Sequence, residues 1–553
     1  MANFSEEPDL EGAKKTVEVA AAAVEAAIEK LRSAVSSGES IDDYQVLAYD
    51  VAHSAAAIAT ARHALTTGTM SLEDGLLACA FIADATSEIA SKCIGRETLW
   101  GVEPNWQSAV QDFLTKFRSP QFLASLHEVI PQSHLDQEFE LVAETFRKFG
   151  QEKIKPQAEH VHRTNSDVPE DVISGLAELG AFGLSVPEEY GGFATGGEHD
   201  YVGMVIATEE LSRASLGIGG SLITRPEILA RALVAGGTED QKKDLLPKLA
   251  TAEIMAAVAV TEPNYGSDVA GISVTATPGE GGWYINGVKT WCTFAARADV
   301  LMLLARTNPD KSAGHRGLSL FVVPKPRGDA HGFLFTQNPT GNENFESPLS
   351  RPGSGDIGKL EGRPIDTIGY RGMHSYEVSF ESWWVEQSAL VGGENGLGKG
   401  FYLQMQGFEN GRLQTAARAV GVMQAALEAA CDYAQNRVVF GSPIGDYQLT
   451  RAKIGRMKVI LHATRLFAYE VARLMGKGEG AMEASMVKAY VCRAAEWVTR
   501  EAMQIHGGMG YAEEFPVSRY FVDARVLSIF EGADETLALK VIARSLIAGP
   551  KNK

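Results

Sequence analysis

Glu531 stands between an apolar run, Val526-Leu527-Ser528-Ile529-Phe530, and Gly532, after which Leu537, Val541 and Leu546 resume a helical period. A carboxylate drawn partly out of water in this way suits a general base, although an acid at a helix start also serves as a cap. Four other stretches carry donor-rich or aromatic residues at suggestive spacing. Thr261-Glu262-Pro263-Asn264-Tyr265-Gly266-Ser267-Asp268 offers hydroxyl and backbone N–H groups to a ring or a phosphate, or is simply a turn that ends a strand. Trp291 and Thr293, two residues apart, would share one side of a strand, where an indole stacks and a hydroxyl bonds a planar group; a tryptophan in a sheet core reads the same way. Arg437, in Arg-Val-Val-Phe440-Gly441-Ser-Pro443, lies beside a bend and ahead of Gln448, an arrangement that suits a pyrophosphate or a solvated helix end. Gln504-Ile505-His506-Gly507-Gly508-Met509-Gly510 ends a helix with three glycines, more than a C-terminal cap requires. A sixth stretch, Gly393 to Gly400, approaches a phosphate-cradling loop, but Gly400 stands where a Ser or Thr would hold magnesium.

The elements that must position these residues follow from periodicity. Residues 8 to about 127 read as almost pure helix, with apolar spacing such as Val17, Ala20, Val24, Ile28 and Leu31 and breaks near Ser36–Gly38, Thr67–Gly68 and Gly101–Pro104. A second helical region starts at His134 and includes Thr238 with Gln241, a capping box. Near Ile254 the period changes to two. Ala256–Thr261, Gly282–Thr290, Leu301–Arg306, Leu318–Pro324 and Tyr376–Val385 read as strands of an antiparallel barrel or sandwich, and Asn286-Gly287 as a hairpin turn. The Gly- and Pro-rich 338–362 reads as a surface excursion. After Gly398 the chain is helical, with segments long enough for a bundle. The expected domains are thus 1–130 helical and accessory, 131–253 helical, 254–390 β, and 391–553 a helical bundle.

Bulk properties narrow the function. A chain of 553 residues implies two to four domains. A net charge of −19 argues against nucleic acid as the main ligand. Five cysteines without metal-ligand spacing suit reduced thiols rather than disulfides or a metal site. The N-terminus shows no apolar signal region, and the apolar Val19–Ile28 is short and broken by Glu25; the reading is a cytoplasmic protein without a membrane span.

Taken in order, Thr-Glu-Pro-x-x-Gly-Ser-Asp at 261, Trp-x-Thr at 291, Arg-x-x-Phe-Gly at 437, Gln-Ile-His-Gly-Gly at 504 and Phe-Glu-Gly at 530 resemble the acyl-CoA dehydrogenase family over residues 134–548. The resemblance implies a mainly α fold with a helical domain, a central β-barrel and a C-terminal four-helix bundle, here preceded by an extra N-terminal helical domain. It implies FAD as cofactor. Val260, Thr261, Gly266, Ser267, Trp291 and Thr293 would surround the flavin ring. Arg437, Phe440, Gln448, Gln504, Gly507 and Gly508 would hold its pyrophosphate and adenosine side, Arg437 and Gln448 from a neighbouring subunit, so that at least a homodimer is implied. Glu531 would be the catalytic base for the α-proton, with hydride passing to flavin N5. The alternative base position of one subgroup is Gly411 here, which excludes it. Ser267, Glu409, Arg412 and Gly532 would contact the acyl-CoA substrate, and an electron-transferring flavoprotein would accept the electrons.

The family pattern is not kept everywhere. One residue more than usual separates Glu531 from Arg544, and Ala533 replaces a threonine. The N-terminal extension makes the layout similar to members that oxidise a short branched dicarboxylic acyl-CoA, whose free carboxylate would need a cation; Arg225 and Arg213 are the candidates. Oxidation of another short acyl-CoA, an oxygen-reacting oxidase, or a non-catalytic flavin-binding scaffold are the rival readings.

Overall fold

Alanine recurs at the inward positions of the N-terminal helices and lets them approach closely. In the computed structural model, which describes residues 6–339, 349–352 and 356–549, these are α1 (Leu10–Ser36), α2 (Gln45–Thr67) and α3 (Leu72–Cys93). Asp9 caps α1 by accepting the Gly12 N–H, and Ser71 caps α3 by accepting that of Asp74, satisfying donors that have no partner inside a helix. The core they bury is not theirs alone. Leu76, Phe81, Trp100, Phe117 and Phe122 pack in one cluster with Val459, Ala463, Met486, Ala489 and Ile542. Those last five belong to the helices Gln448–Gly476 and Ala481–Ile505 and to the terminal helical segment. Asp84 adds a contact by accepting the Arg456 Nε–H at 3.0 Å, and Lys458 Nζ donates to the Val129 carbonyl at 2.7 Å.

The described residues therefore form two compact units. One comprises the chain up to Phe146, Ser212–Ala214, and everything from Arg412; the other comprises Arg147–Leu211 and Ser215–Gly411. The N-terminal helices are part of the same body as the C-terminal bundle.

The second unit carries the sheet. Its strands are β1 (Ala256–Ala259), β2 (Thr275–Gly279), β3 (Gly282–Lys289), β4 (Val300–Arg306), β5 (Leu318–Pro324), β6 (Phe333–Pro339), β7 (Leu349–Arg351), β8 (Gly358–Ile365) and β9 (Ser375–Glu386). They curl into a half-barrel in the order β1-β4-β2-β3-β9-β8-β6-β7, with β5 on β4. The sheet is mixed rather than purely antiparallel: β1 and β2 run parallel to β4, and β7 runs parallel to β6. The expected Thr238–Gln241 capping box is present in both directions, at 3.2 and 3.0 Å.

Two expectations change. Asn286-Gly287 is not a hairpin turn. β3 runs through it, pairs with β9 along its length, and takes up Asn286 as a bulge whose side-chain Oδ1 accepts the Ser382 N–H at 2.8 Å. The hairpin closes instead at Gly279 and Gly282, where β2 meets β3. Within 338–362, the stretch read as an excursion, Gly358–Ile365 is a strand bonded to both β6 and β9; residues 340–348 and 353–355 of that stretch lie outside the described residues. Gly358 and Gly362 are sites of close approach. A Cβ on Gly362 would fall 2.2 Å from the Phe333 ring, and one on Gly358 2.8 Å from the Ser382 carbonyl.

Candidate active site

The proposed base sits on a strained turn. Glu531 has φ 54° and Gly532 φ 96°, two successive left-handed residues, the first of which pays a steric penalty for its Cβ. The turn is held from below by a lysine that sequence reasoning missed. Lys488, in the middle of the helix Ala481–Ile505 and 1% exposed, donates Nζ–H bonds to the carbonyls of Phe530 at 2.9 Å and Gly532 at 2.5 Å, one on each side of Glu531. Burial pushes the Lys488 amine down, against the pull of Cys492, Glu531 and Asp534. A lysine at an apolar position of a helix, six residues past Met482, was the available signal. The fully buried Arg418 lies over the Phe530 ring at 5.4 Å, a cation–π contact on the same turn. Between Glu531 and Arg544 the helix includes a π-helical segment, Leu537–Ile542, a turn that takes in one residue more than an α turn.

In the same unit the Arg437 stretch forms a small hairpin. Val438–Val439 pairs with Ser442–Pro443, and Phe440 (φ 53°) and Gly441 (φ 90°) form the two-residue turn. Phe440 is 96% exposed at its tip. With Ile444, Tyr447, Thr450, Lys453 and Gln504 it lines an open cleft of about 370 Å³. Gln448 begins the helix that carries Leu449, Thr450 and Lys453, and Arg437 is exposed just before the hairpin. Gly507 and Gly508 end the adjoining helix with no heavy atom within 4 Å of where a Cβ would stand, leaving bare backbone open to a ligand. Gly510 has a different role: its Cβ would meet the Met503 carbonyl at 2.2 Å. His506 is buried, stacked 4.2 Å from Tyr433 and bonded through Nδ1 to the Ala502 carbonyl, so it shapes the helix end.

The flavin-ring candidates all belong to the other unit, where two segments are laced together. The Thr290 N–H donates to the Thr261 carbonyl at 2.8 Å, which sets Val260-Thr261 beside Trp291-Cys292-Thr293. Lys289, fully buried, donates to the Val260 carbonyl at 2.8 Å and to Glu262 at 2.9 Å. Glu262 also accepts the N–H groups of Ser273 and Val274. Burial holds the Lys289 amine down at about 8 while Glu262 pulls it back up. Lys289 and Glu262 were not singled out from sequence; a charged residue at an inward strand position was the clue. Gly266 leaves open space on its face, the nearest atom to a Cβ there being a Thr261 methyl at 4.0 Å, and Ser267 beside it is exposed.

Trp291 and Thr293 are not on a strand, contrary to expectation. Trp291 has φ 56° and Thr293 donates its N–H to the Trp291 carbonyl at 2.9 Å, so the segment coils after β3 ends. The indole is 55% exposed, while the Thr293 hydroxyl is buried at 3.0 Å from that of Ser375. An exposed indole next to a buried hydroxyl and a bare glycine suits a flat aromatic ligand.

The substrate candidates divide as well. Arg213 is paired with Glu428, which also accepts from Gln424 at 2.6 Å; its charge is spent in the bundle. Arg225, near the start of the helix Thr224–Gly236, is buried at 6% exposure, and its charge bears on Cys292, whose thiol burial pushes up to about 12. Glu409 and Arg412 lie half-buried on the helix Gly400–Asn436, Arg412 donating to the Ser485 hydroxyl at 3.3 Å. Among the described residues no helix is long and apolar enough to cross a membrane.

Three family profiles match in succession: acyl-CoA dehydrogenase N-terminal domain over residues 136–253, middle domain over 257–347 and C-terminal domain over 398–547. A (2S)-methylsuccinyl-CoA dehydrogenase of Cereibacter sphaeroides is 40% identical over 417 residues, 75% of this chain and 70% of that protein. The mitochondrial isovaleryl-CoA dehydrogenase of Solanum tuberosum is 33% identical over 406 residues, 73% of this chain and 89% of that protein. Among solved structures, a glutaryl-coenzyme A dehydrogenase in complex with glutaryl-CoA is similar with a TM-score of 0.64 at 30% identity, over 74% of this chain and 95% of that one. The butyryl-CoA dehydrogenase of Megasphaera elsdenii gives 0.63 at 27% identity, over 73% of this chain and 97% of that one.

Proposed function

The chain belongs to the acyl-CoA dehydrogenase family, an FAD-dependent oxidoreductase family, and from that premise we propose that it oxidises (2S)-methylsuccinyl-CoA to mesaconyl-CoA, the step such an enzyme takes in the ethylmalonyl-CoA pathway, with Glu531 as the base. The observation that carries the reading is the strained Phe530-Glu531-Gly532 turn, clamped by Lys488 at both flanking carbonyls. A backbone fixed in that way presents one carboxylate and one N–H in a set direction. The α-hydrogen of a thioester is only weakly acidic. Removing it requires a base at hydrogen-bond reach together with a donor to the thioester oxygen, and the proposal assigns that second role to the backbone N–H of Glu531. FAD, where bound by the residues named below, would supply the redox half of the reaction, as acceptor of the β-hydrogen. The chain's part is to align the two hydrogens and exclude water.

Several groups support FAD as the occupant. Gly507 and Gly508 offer open backbone, Arg437 stands exposed just before the hairpin, and Trp291, Thr293 and Gly266 gather around the Thr261 turn. Val260, Thr261, Ser267, Phe440, Gln448 and Gln504 complete the set that would hold it. A cofactor taken up by residues such as Arg437 and Gln448 from a second copy makes a homo-oligomer part of this proposal, and an electron-transferring flavoprotein is the acceptor it implies. Glu409, Arg412 and Gly532 are assigned to the acyl-CoA. The substrate's free carboxylate is assigned to Arg225, a buried cation near the start of its helix in the unit that carries the flavin-ring candidates, while Arg213 pairs with Glu428 in the bundle. The 40% identity to a methylsuccinyl-CoA dehydrogenase favours this substrate over the monocarboxylic acyl-CoAs.

The test is an anaerobic absorption spectrum of the FAD-loaded protein before and after addition of methylsuccinyl-CoA. Immediate bleaching in the native protein, with the Glu531→Gln variant staying yellow, is the expected result. Bleaching with butyryl-CoA alone would overturn the substrate and leave the base intact.

A further inference from the structure

The turn that carries Glu531 is fixed on a second side by residues almost five hundred positions earlier. Asp534, three residues beyond Glu531, opens the terminal helical segment and is 8% exposed. Its Oδ2 accepts the Tyr49 hydroxyl at 2.5 Å and lies 3.1 Å from His53 Nε2, across sequence separations of 485 and 481. Tyr49 and His53 are four apart on α2 and so share one face, with their rings edge to face at 4.5 Å. Burial alone would push the Asp534 carboxyl up, but the bonds from His53 and Tyr49 and the charge of Arg493 outweigh it and hold it ionised. Asp534 also bears on Lys488, the lysine that grips the Phe530 and Gly532 carbonyls. The five residues 530–534 are thus pinned at 530 and 532 by Lys488 and at 534 by α2. Glu531, in a left-handed conformation it would not choose by itself, lies between the pins.

We propose that Tyr49 and His53 are positioning residues for the reaction: through Asp534 they hold the Phe530–Asp534 segment in the geometry from which Glu531 removes the proton. The N-terminal helical region is on this account a working part of the active site. The inference rests on Glu531 being the base. The Asp84–Arg456 pair joins the same bodies of helix without touching the 530–534 segment, and therefore serves as the control for mere support.

The experiment reads the base without the redox step. The FAD-loaded enzyme is reduced beforehand, and exchange of the α-hydrogen of a saturated acyl-CoA with D2O is followed by mass spectrometry; cofactor content and melting temperature are measured in parallel. Tyr49→Phe and His53→Gln should each slow exchange roughly tenfold while FAD content stays at one per chain, the size expected from losing a hydrogen bond to a buried charge that sets a reacting group's position. Asp534→Asn should slow it at least as much, and adding Tyr49→Phe to Asp534→Asn should slow it no further. Asp84→Asn should lower the melting temperature and leave exchange at the native rate. Native exchange rates in Tyr49→Phe and His53→Gln, with Glu531→Gln inert, would overturn the inference while sparing the base. An equal slowing in Asp84→Asn would reduce the contact to general support and also overturn it. Persistent exchange in Glu531→Gln would remove the base itself, and the inference with it. Should His53→Gln fail to fold, Tyr49→Phe decides alone, since it deletes one oxygen from a half-buried ring.

Discussion

Lys488 contributes to the site through where it donates, not through its charge at the substrate. Replacing it with Met would leave two buried carbonyls without donors at the residues flanking Glu531. The cost of an unsatisfied buried group is about 1–3 kcal/mol each, and the left-handed turn would relax toward a conformation that displaces the carboxylate. Lys488→Met is therefore expected to lower kcat by at least tenfold with a smaller change in KM, checked by steady-state kinetics on FAD-saturated enzyme. Arg225 is tested by selectivity. If it meets the free carboxylate of a dicarboxylic acyl-CoA, Arg225→Gln should lower kcat/KM for methylsuccinyl-CoA by two or more orders of magnitude and leave butyryl-CoA turnover within about fivefold, as expected when a buried charge loses its partner. At this scale the sequence was informative about the residues proposed to touch a ligand and nearly silent about those that hold them. Glu531, Thr261 and Gly507 announce themselves by glycine, hydroxyl or carboxylate at a break in a pattern. Lys488, Lys289 and Asp534 sit inside regular elements, and only their contacts, up to 485 residues away, reveal their part.

Among the elements, helices were legible and strands less so. The breaks near Ser36 and Thr67 end α1 and α2, and the Thr238 capping box is as read, because caps and periodicity are local chemistry. β2, β6, β7 and β8 escaped notice, and Asn286-Gly287 misled, because a strand's identity depends on its neighbours. Asn-Gly makes a turn only when the chain must reverse; with β9 alongside, it becomes a bulge. Likewise Gly358 and Gly362 read as loop residues when in fact they make room for Ser382 and Phe333. The expectation is that Gly362→Ala destabilises the β unit by about 1–3 kcal/mol through overpacking. A thermal melt should then show a lowered transition, and Phe333→Leu, which removes the obstructing ring edge, should restore part of it.

For the whole molecule, the N-terminal helices and the C-terminal bundle are one body, tied by a buried acid among other contacts. Asp74 of α3 is 1% exposed, with His462 Nε2 at 3.1 Å and His134 Nε2 at 2.9 Å. Burial pushes the Asp74 carboxyl up, but bonds from His462, Ser71 and His134 outweigh it and hold it far below the usual carboxylate range. Burial also pushes the His462 imidazole down. Both groups bind protons more readily in the unfolded chain. Their stabilisation is present above the unfolded values, about 6.5 for the histidine and about 4 for the acid, and is lost as pH falls. Melting temperature should therefore fall steadily from pH 7 to pH 4. Asp74→Asn should lower it at pH 7 and remove the further fall below about pH 4, as differential scanning calorimetry extended to pH 3 would show.

The joining of the two chain ends also has a consequence in time. Tyr49 leaves the ribosome 485 residues before the aspartate it binds, which at about 5–20 residues per second is roughly half a minute to a minute and a half of synthesis. Until Val459, Met486 and Ile542 have been made, the faces of α1–α3 that pack against them have no cover. The unit carrying the β-sheet is encoded entirely in between and can form meanwhile. The turn that carries Glu531, the proposed base, is thus completed only once Asp534 has been made, and a nascent chain cut short before Asp534 lacks the acid that Tyr49 and His53 bind. Such a chain is a natural client for a chaperone and a ready target for a protease.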